Sequence, residues 1–162
     1  MITTRTAGPG DAAEIVRLRR LMFAAMDGHD SPGAWERTAE EIVARELGAG
    51  LGAFVVDGEG PHLAACAVGT VEQRLPAPGH PTGRFGFVFT VSTDPRYRGR
   101  GFARATTEAL LDWFAASGVT RVDLHATPDA ERLYRSLGFT EHSTALSLDL
   151  GRTVRPPVLP AP

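Results

Sequence analysis

The chain has 162 residues and a mass of 17.3 kDa, enough to bury one hydrophobic core and too little for two independent ones. Hydrophobic residues make up 43% and charged residues 22%, with a mean hydropathy of -0.10, the composition of a globular protein rather than a disordered or membrane chain. The 17 basic and 19 acidic residues leave a formal charge of -2, so no global positive field draws the protein to nucleic acid or anionic lipid. Ile2 to Thr6 is expected as a short first strand. Gly8-Pro9-Gly10 follows, and Asp11 with Glu14 three residues later has the spacing of a capping box that opens a helix. Ile15, Leu18, Met22 and Ala25 recur at helical spacing and mark its buried face, and Asp27-Gly28 ends it. A second helix is predicted from Gly33 to Leu47, with Ile42, Val43 and Leu47 inward and Glu36, Glu40 and Glu41 outward, stopped by Gly48 to Gly52.

Ala53 to Val56, the turn Asp57 to Pro61, and Leu63 to Val71 read as an antiparallel hairpin. Leu75 to Gly83 is a loop, because Pro76, Pro78 and Pro81 lack amide donors and would interrupt a sheet ladder; it is expected over a binding cleft. Phe85, Phe87, Phe89 and Val91 alternate with Gly86, Val88, Thr90 and Ser92, the period of a strand with one aromatic face. Gly101 to Ser117 is helical, with Phe102, Thr106, Ala109, Leu110 and Trp113 on one face and Gly118 as C-terminal cap. Val119 to His125 is another strand. Thr127-Pro128-Asp129 then supplies a capping hydroxyl, a first-turn Pro and an early acid for a short helix that ends at Gly138. Phe139 to Leu150 is expected to close the sheet with one or two strands, and residues 151–162 to form an unpacked Pro-rich tail. The order, with no internal repeat, predicts one α/β (α+β) domain over 1–150, a mixed sheet with helices on both faces.

Several chemistries are excluded by residue type. Every basic residue is Arg, so neither a phosphate-loop lysine nor a Schiff-base amine is present. A single cysteine, Cys66, rules out an intramolecular disulfide and a cysteine zinc cluster, and its apolar neighbours Leu63 to Val68 mark it as core. The five His, at 29, 62, 80, 125 and 142, lack metal-ligand spacing, and no G-x-S-x-G elbow or H-E-x-x-H pair occurs, so no metal is expected. Met1 to Gly10 carries no signal-like apolar stretch and no apolar run approaches a membrane span. A cytoplasmic protein without nucleic-acid or membrane partners is the expectation, with a homodimer left open.

Chemistry concentrates after the strand that ends at Thr93. It enters Asp94-Pro95-Arg96-Tyr97-Arg98-Gly99-Arg100-Gly101-Phe102-Ala103-Arg104, and the next helix begins inside this segment. Such a junction gathers unpaired N–H groups at the positive end of a helix, where phosphate oxygens bind. Gly99 and Gly101 allow close approach, and Arg98, Arg100 and Arg104 add charge-assisted donors suited to a diphosphate and a further phosphate. The alternatives are a solvated Gly-rich surface turn and a dinucleotide-binding loop. The latter fits less well, because its third position is Arg104 rather than Gly or Ala and Asp123 falls mid-strand.

At Arg98-Gly99-Arg100-Gly101-Phe102-Ala103 the sequence resembles the GNAT family, the GCN5-related N-acetyltransferases, whose acetyl-CoA loop runs Arg or Gln, two free positions, Gly, one free position, Gly or Ala. Arg96 to Gly101 fits the same pattern, but the distance from Pro95 and the helix start favour the first register. Ala130-Glu131-Arg132-Leu133-Tyr134-Arg135-Ser136-Leu137-Gly138-Phe139 resembles a second family element, on the helix after the fifth strand. The likeness spans about residues 2 to 150, with its specific part in 85 to 139. It implies a GNAT fold with a mixed central sheet of six to seven strands, splayed between strands 4 and 5, and acetyl-CoA as co-substrate. It also implies that backbone groups of Val91, Ser92 and Thr93 hold the acyl end, one N–H polarising the thioester carbonyl, while residues 99–104 hold the diphosphate. A neutral primary amine of a small molecule or peptide would attack directly, and Tyr134 would protonate the departing thiolate as general acid.

Each role has a plainer counterpart. Tyr134 also reads as a half-buried helix residue with a satisfied hydroxyl. Thr127 stands where many relatives carry an Asn that touches the cofactor, and Val122 stands where ribosomal-protein acetylating relatives carry Glu. Strand 85–93 offers no carboxylate, which leaves His125 and Glu72 as candidate general bases, each with a structural reading. Asp27, Asp30, Glu36 and Glu40 lie where relatives build the substrate side and would attract a cation, or else form a solvated helix face. Pro157 and Pro160 have the spacing of a proline-recognition ligand, which a loose tail explains as well. The expected function is acetyl-CoA-dependent N-acyl transfer to an amine; the rival from another class is a GNAT-fold module that holds CoA without turnover.

Overall fold

The alternation read along the chain becomes a five-stranded sheet in the computed structural model, which describes residues 1–151. Arg5–Thr6 (β1), Leu51–Asp57 (β2), Leu63–Gln73 (β3), Arg84–Thr93 (β4) and Arg121–Leu124 (β5) lie side by side in chain order. Neighbours are antiparallel except β4 and β5, which are parallel because a helix carries the chain back between them. Ala12–Asp27 (α1) and Trp35–Glu46 (α2) cover one face, and Phe102–Ala116 (α3) covers the other. Pro128–Ser136 (α4) follows β5.

Strand periodicity sorts the core. Val55, Cys66 and Val68 meet Ile15, Leu18 and Val43 on the α1–α2 side, while Phe54, Ala67 and Val88 meet Leu110 and Phe114 on the α3 side. Since both faces are covered, β3 is buried without interruption from Leu63 to Gly69. Close approach of α3 depends on the absence of side chains beneath it. A Cβ on Gly69 would sit 2.7 Å from Phe114 Cζ, and one on Gly86 2.9 Å from Phe114 Cδ1. Phe114, 1% exposed, therefore lies directly on the backbone of β3 and β4.

Several expectations are corrected. The sheet has five strands rather than six to seven: residues 139–150 form no strand, and Leu146, Leu148 and Leu150 stand more than 80% exposed at 89%, 83% and 85%. The first strand shrinks to Arg5–Thr6. Asp11 and Glu14 do not form the capping box. Asp11 accepts from Gly8 N at 2.8 Å and pairs with Arg5, while Glu14 turns to Arg17 and to Leu63 N at 2.7 Å, at the start of β3. Thr127 has the extended backbone of a helix cap, but its hydroxyl makes no capping bond. Ile42 is 42% exposed, so only Val43 of its helix is fully buried. The tail reading of 151–162 lies, from residue 152 onward, outside the described residues. No helix of the described residues is long and apolar enough to cross a membrane.

The loop from Leu75 to Gly83 also lies elsewhere than expected. Thr82 Oγ1 donates to Gly118 O at 2.8 Å and His80 Nδ1 meets Thr120 Oγ1 at 2.8 Å, which fixes the loop at the end of the sheet where β4 starts. The cleft described below opens at the other end.

Candidate active site

Parallel pairing of β4 with β5 runs only from Phe85–Arg121 to Val88–Leu124, whereas pairing of β4 with β3 continues to Thr93. Beyond Val88 the outer edge of β4 therefore has no strand partner, and the two strands part. A β-bulge accompanies the split: Thr90 pairs with Val68 and Val88 with Gly69, leaving Phe89 as the extra residue. The bulge turns Phe89 and Thr90 toward α1 and shifts Val91 to the α3 side with Val88, so Val91 leaves the aromatic face predicted for it.

A cleft of about 900 Å³ occupies the gap. β4 lines it from Phe87 to Thr93, which brings Val91, Ser92 and Thr93 to its wall. The turn before α3 contributes Arg98, Gly99, Gly101, Phe102, Ala103 and Arg104, and the far wall holds His125, Thr127 and Tyr134. Ser92 turns its hydroxyl inward to Leu18 O at 2.7 Å, so its backbone rather than its side chain is available to the cleft. Thr93 differs: its Oγ1 is buried and has no hydrogen-bond partner among the described residues.

The turn is held from below by a residue the sequence reading passed over. Asp94 is 4% exposed and accepts from Arg96 N at 3.0 Å, from the Arg96 guanidinium, and from Arg17 Nη1 at 2.8 Å. These donors hold its carboxyl well below the usual carboxylate range. The Asp-Pro dipeptide signals a turn, but its partner on α1 lies 77 positions away. Above this anchor Gly99 and Gly101 adopt left-handed backbones, with φ of 75° and 82°. Among the described residues, the backbone N–H groups from Gly101 through Arg104, at the start of α3, donate to no protein acceptor.

The arginines divide. Arg98 lines the cleft; Arg100 lies over the Tyr97 ring, 5.4 Å from its centroid, and outside the lining. Arg104 bonds Ser136 Oγ at 2.8 Å and pairs with Glu108, tying α3 to α4 beside the cleft. Tyr134 is 8% exposed with its ring edge-on to Phe139, and its hydroxyl has no protein partner among the described residues. Burial alone raises its phenol above the ordinary value.

Of the two candidate bases only one reaches the cleft. His125 is exposed at its rim, its ring 5.5 Å from that of Phe87. Glu72 pairs across the sheet with Phe85, at the opposite end of β4, and forms an ion pair with Arg74 at 2.8 Å. It cannot serve this site. Of the acidic group near α2, Asp30 and Glu36 are engaged by Arg20. No group of three or more His, Cys, Asp or Glu able to hold a metal ion occurs among the described residues.

Residues 15–139 match the model of the acetyltransferase (GNAT) family. The chain belongs to that family. Among curated relatives, mycothiol acetyltransferases from Gordonia bronchialis and Amycolatopsis mediterranei are 36% and 33% identical over 90% and 88% of this chain. The matches cover 45% and 48% of those proteins, so the chain spans about half the length of the curated relatives it matches. The GNAT fold is shared with a predicted acetyltransferase from Clostridium acetobutylicum solved with acetyl-CoA, at a TM-score of 0.80 and 20% identity over 93% of this chain and 97% of that one. A GCN5-related N-acetyltransferase from Ralstonia eutropha aligns at a TM-score of 0.79 and 24% identity, over 94% of this chain and 100% of that one. Within this GNAT chain, the matched region contains the turn at 98–104 and α4 with Tyr134, and omits the exposed residues 140–150.

Proposed function

We propose that the protein is an N-acetyltransferase that moves an acetyl group from acetyl-CoA to the primary amine of a small molecule or peptide by direct transfer, within one domain over 1–150. The observation that carries this reading is a single cleft joining three features: a donor-rich left-handed turn, an unpaired strand edge and an unpartnered phenol. The orphaned Thr93 hydroxyl and the open N–H groups of residues 101–104 are polar groups that a polyphosphate with amide linkages would satisfy. When bound, acetyl-CoA supplies an activated thioester carbonyl.

The chain's own residues account for the rest. N–H groups of the turn, with the Arg98 guanidinium, hold phosphate oxygens at the positive end of α3. The free edge of β4 beyond Val88 offers backbone donors and acceptors to the amide arm, and an N–H there stabilises negative charge on the carbonyl oxygen during attack. Tyr134 donates its proton to the sulfur. Its burial keeps the phenol protonated at neutral pH, the state a general acid requires. His125 at the rim is the imidazole positioned to take the proton of an arriving ammonium. Relatives named as mycothiol acetyltransferases favour a small-molecule acceptor over a protein surface.

Calorimetric titration with acetyl-CoA, followed by thiol release with a panel of amines, tests the proposal. Saturable binding is expected, abolished by Gly101→Glu, which puts bulk and negative charge where phosphate would sit. Because Gly101 has a φ of 82°, any side chain there is strained, so Gly101→Asn serves as the control: Asn tolerates that backbone and adds no charge. Absence of binding by the wild type would overturn the cofactor assignment. Binding without turnover of any amine would favour the silent CoA-binding module instead.

A further inference from the structure

The face of α1 that borders the cleft is apolar except at one position. Met22, Phe23 and Met26 line it, and Arg19 projects among them, on the same helical face as Ile15 and Met22. This wall lies across β4 from the turn at 98–104. Three arginines of α1 have contrasting surroundings. Arg17 pairs with Glu14 and Asp94, and Arg20 with Asp30 and Glu36. Arg19 has no carboxylate within ion-pair distance among the described residues. Its Nη1 donates to Thr90 Oγ1 at 2.6 Å and to Phe89 O at 3.3 Å, while its guanidinium carbon lies 4.6 Å from the Phe23 ring centroid and 5.4 Å from that of Phe89.

These contacts orient the guanidinium and leave much of it unused. Nε and Nη2 donate to no acceptor among the described residues, and together they form the edge of the fork that grips two oxygens of one oxyanion. A half-buried cation without a counter-ion is costly, and burial lowers the Arg19 pKa, in contrast to the paired Arg17 and Arg20. Two aromatic faces offset part of that cost. The bulge at Phe89 is what delivers the two acceptors on β4 to this place, since it turns both Phe89 and Thr90 toward α1.

We infer that Arg19 is a specificity-determining residue that receives an oxyanion of the acceptor, so that the preferred acceptor is an amine also bearing a carboxylate. This inference rests on the proposed acetyl transfer. It names the chemical class of the acceptor: an amino acid or a related zwitterion, whose anionic end lies against Arg19, Phe23 and Phe89 while its amine points toward the β4–β5 gap. The cleft's α1 wall carries no acid to hold an ammonium, so the anionic end is the part of such a molecule that finds a partner there.

The test is acetyl-CoA thiol release with α-amino acids against their amides, and with phosphoethanolamine against ethanolamine, in wild type, Arg19→Gln and Arg19→Lys. Wild type is expected to favour the carboxylate-bearing member of a pair in kcat/KM by roughly 100-fold, as for a site built to bond a polar group that the competitor lacks. Arg19→Gln is expected to remove that preference through KM for the carboxylate amines, with the amides and the affinity for CoA little changed; Arg19→Lys restores part of it. A stronger preference for phosphoethanolamine would assign the oxyanion as phosphate and overturn the carboxylate. Equal use of acids and amides by wild type, or an equal loss for both in Arg19→Gln, would overturn the inference and leave Arg19 as a clamp between α1 and the bulge. Calorimetry of the same amino acids into the protein–CoA complex separates this from the transfer reaction. Arg19-dependent binding without any turnover would refute acetyl transfer and keep the oxyanion subsite, while turnover confined to amines that lack an anionic group would do the reverse.

Discussion

Replacing Tyr134 by Phe removes one oxygen from the wall of the cleft and isolates the proposed proton donor. The ring contacts survive, because Phe keeps the edge-on packing against Phe139. The lost hydroxyl had no protein partner among the described residues, so no buried group is left unsatisfied and stability should change by less than about 0.5 kcal/mol. For a domain of this size that is at most about 2 °C in Tm. Catalysis should change far more. A positioned general acid contributes about 100-fold to 10,000-fold, which is about 2.7 to 5.4 kcal/mol in the barrier at 1.36 kcal/mol per decade. The phenol's pKa is raised above 10.0 by burial, so the donor stays protonated, and its ionisation should lower wild-type turnover only above that pH. The assay is thiol release at saturating acetyl-CoA with the best amine of the panel, alongside calorimetry for CoA affinity and thermal unfolding for the fold. Expected are an unchanged Kd, an unchanged Tm and a kcat lower by at least about 100-fold. A kcat within about threefold of wild type, with both controls intact, would remove Tyr134 from the mechanism and leave it as a packing residue.

Asp94→Ala should weaken acetyl-CoA binding without touching the ligand, since it releases the turn from Arg17 and Arg96; calorimetry reads the loss, and undiminished affinity would refute the anchor. The same carboxyl sets an acid limit. Its pKa is depressed below the ordinary 3.8, so its stabilising effect is complete above that value and is lost as pH falls through and below it, which urea titrations between pH 6 and 3 would register as a falling midpoint. Phe114→Ala empties the space over Gly69 and Gly86 and should cost about 3 to 5 kcal/mol, measured by urea unfolding; a loss under about 1 kcal/mol would contradict the packing of α3. Cys66 is fully buried and its thiol is pushed up to about 12, so a thiol reagent at pH 8 should label the chain only after denaturation, and rapid labelling of the native protein would show that β3 opens.

The sequence by itself determined the features whose causes lie within a few residues of one another. The hairpin of β2 and β3, the strand at 84–93, the glycine-containing turn before α3, and the start of α4 at Pro128 are all local geometry, and periodicity or turn chemistry states them directly. Gly101 reads as part of an anion-binding turn because it carries no side chain to block close approach of the ligand. Tertiary structure decided what meets what across long separations. Glu14 leaves its expected cap for Leu63, 49 positions away, because the first residue of β3 offers it a backbone donor. Glu72 and His125 were equivalent as candidate bases in sequence, yet the antiparallel register sends one to the far end of the sheet and the other to the cleft. The bulge at Phe89 exists only in the mismatch between two paired strands, so it has no signal in either strand alone, and it is the bulge that moves Val91 to the α3 face and brings Thr90 to Arg19. A local pattern reports the path of the chain through one element. Pair energies between elements depend on which surfaces that path brings within a few ångströms, and those distances arise only when the whole core closes.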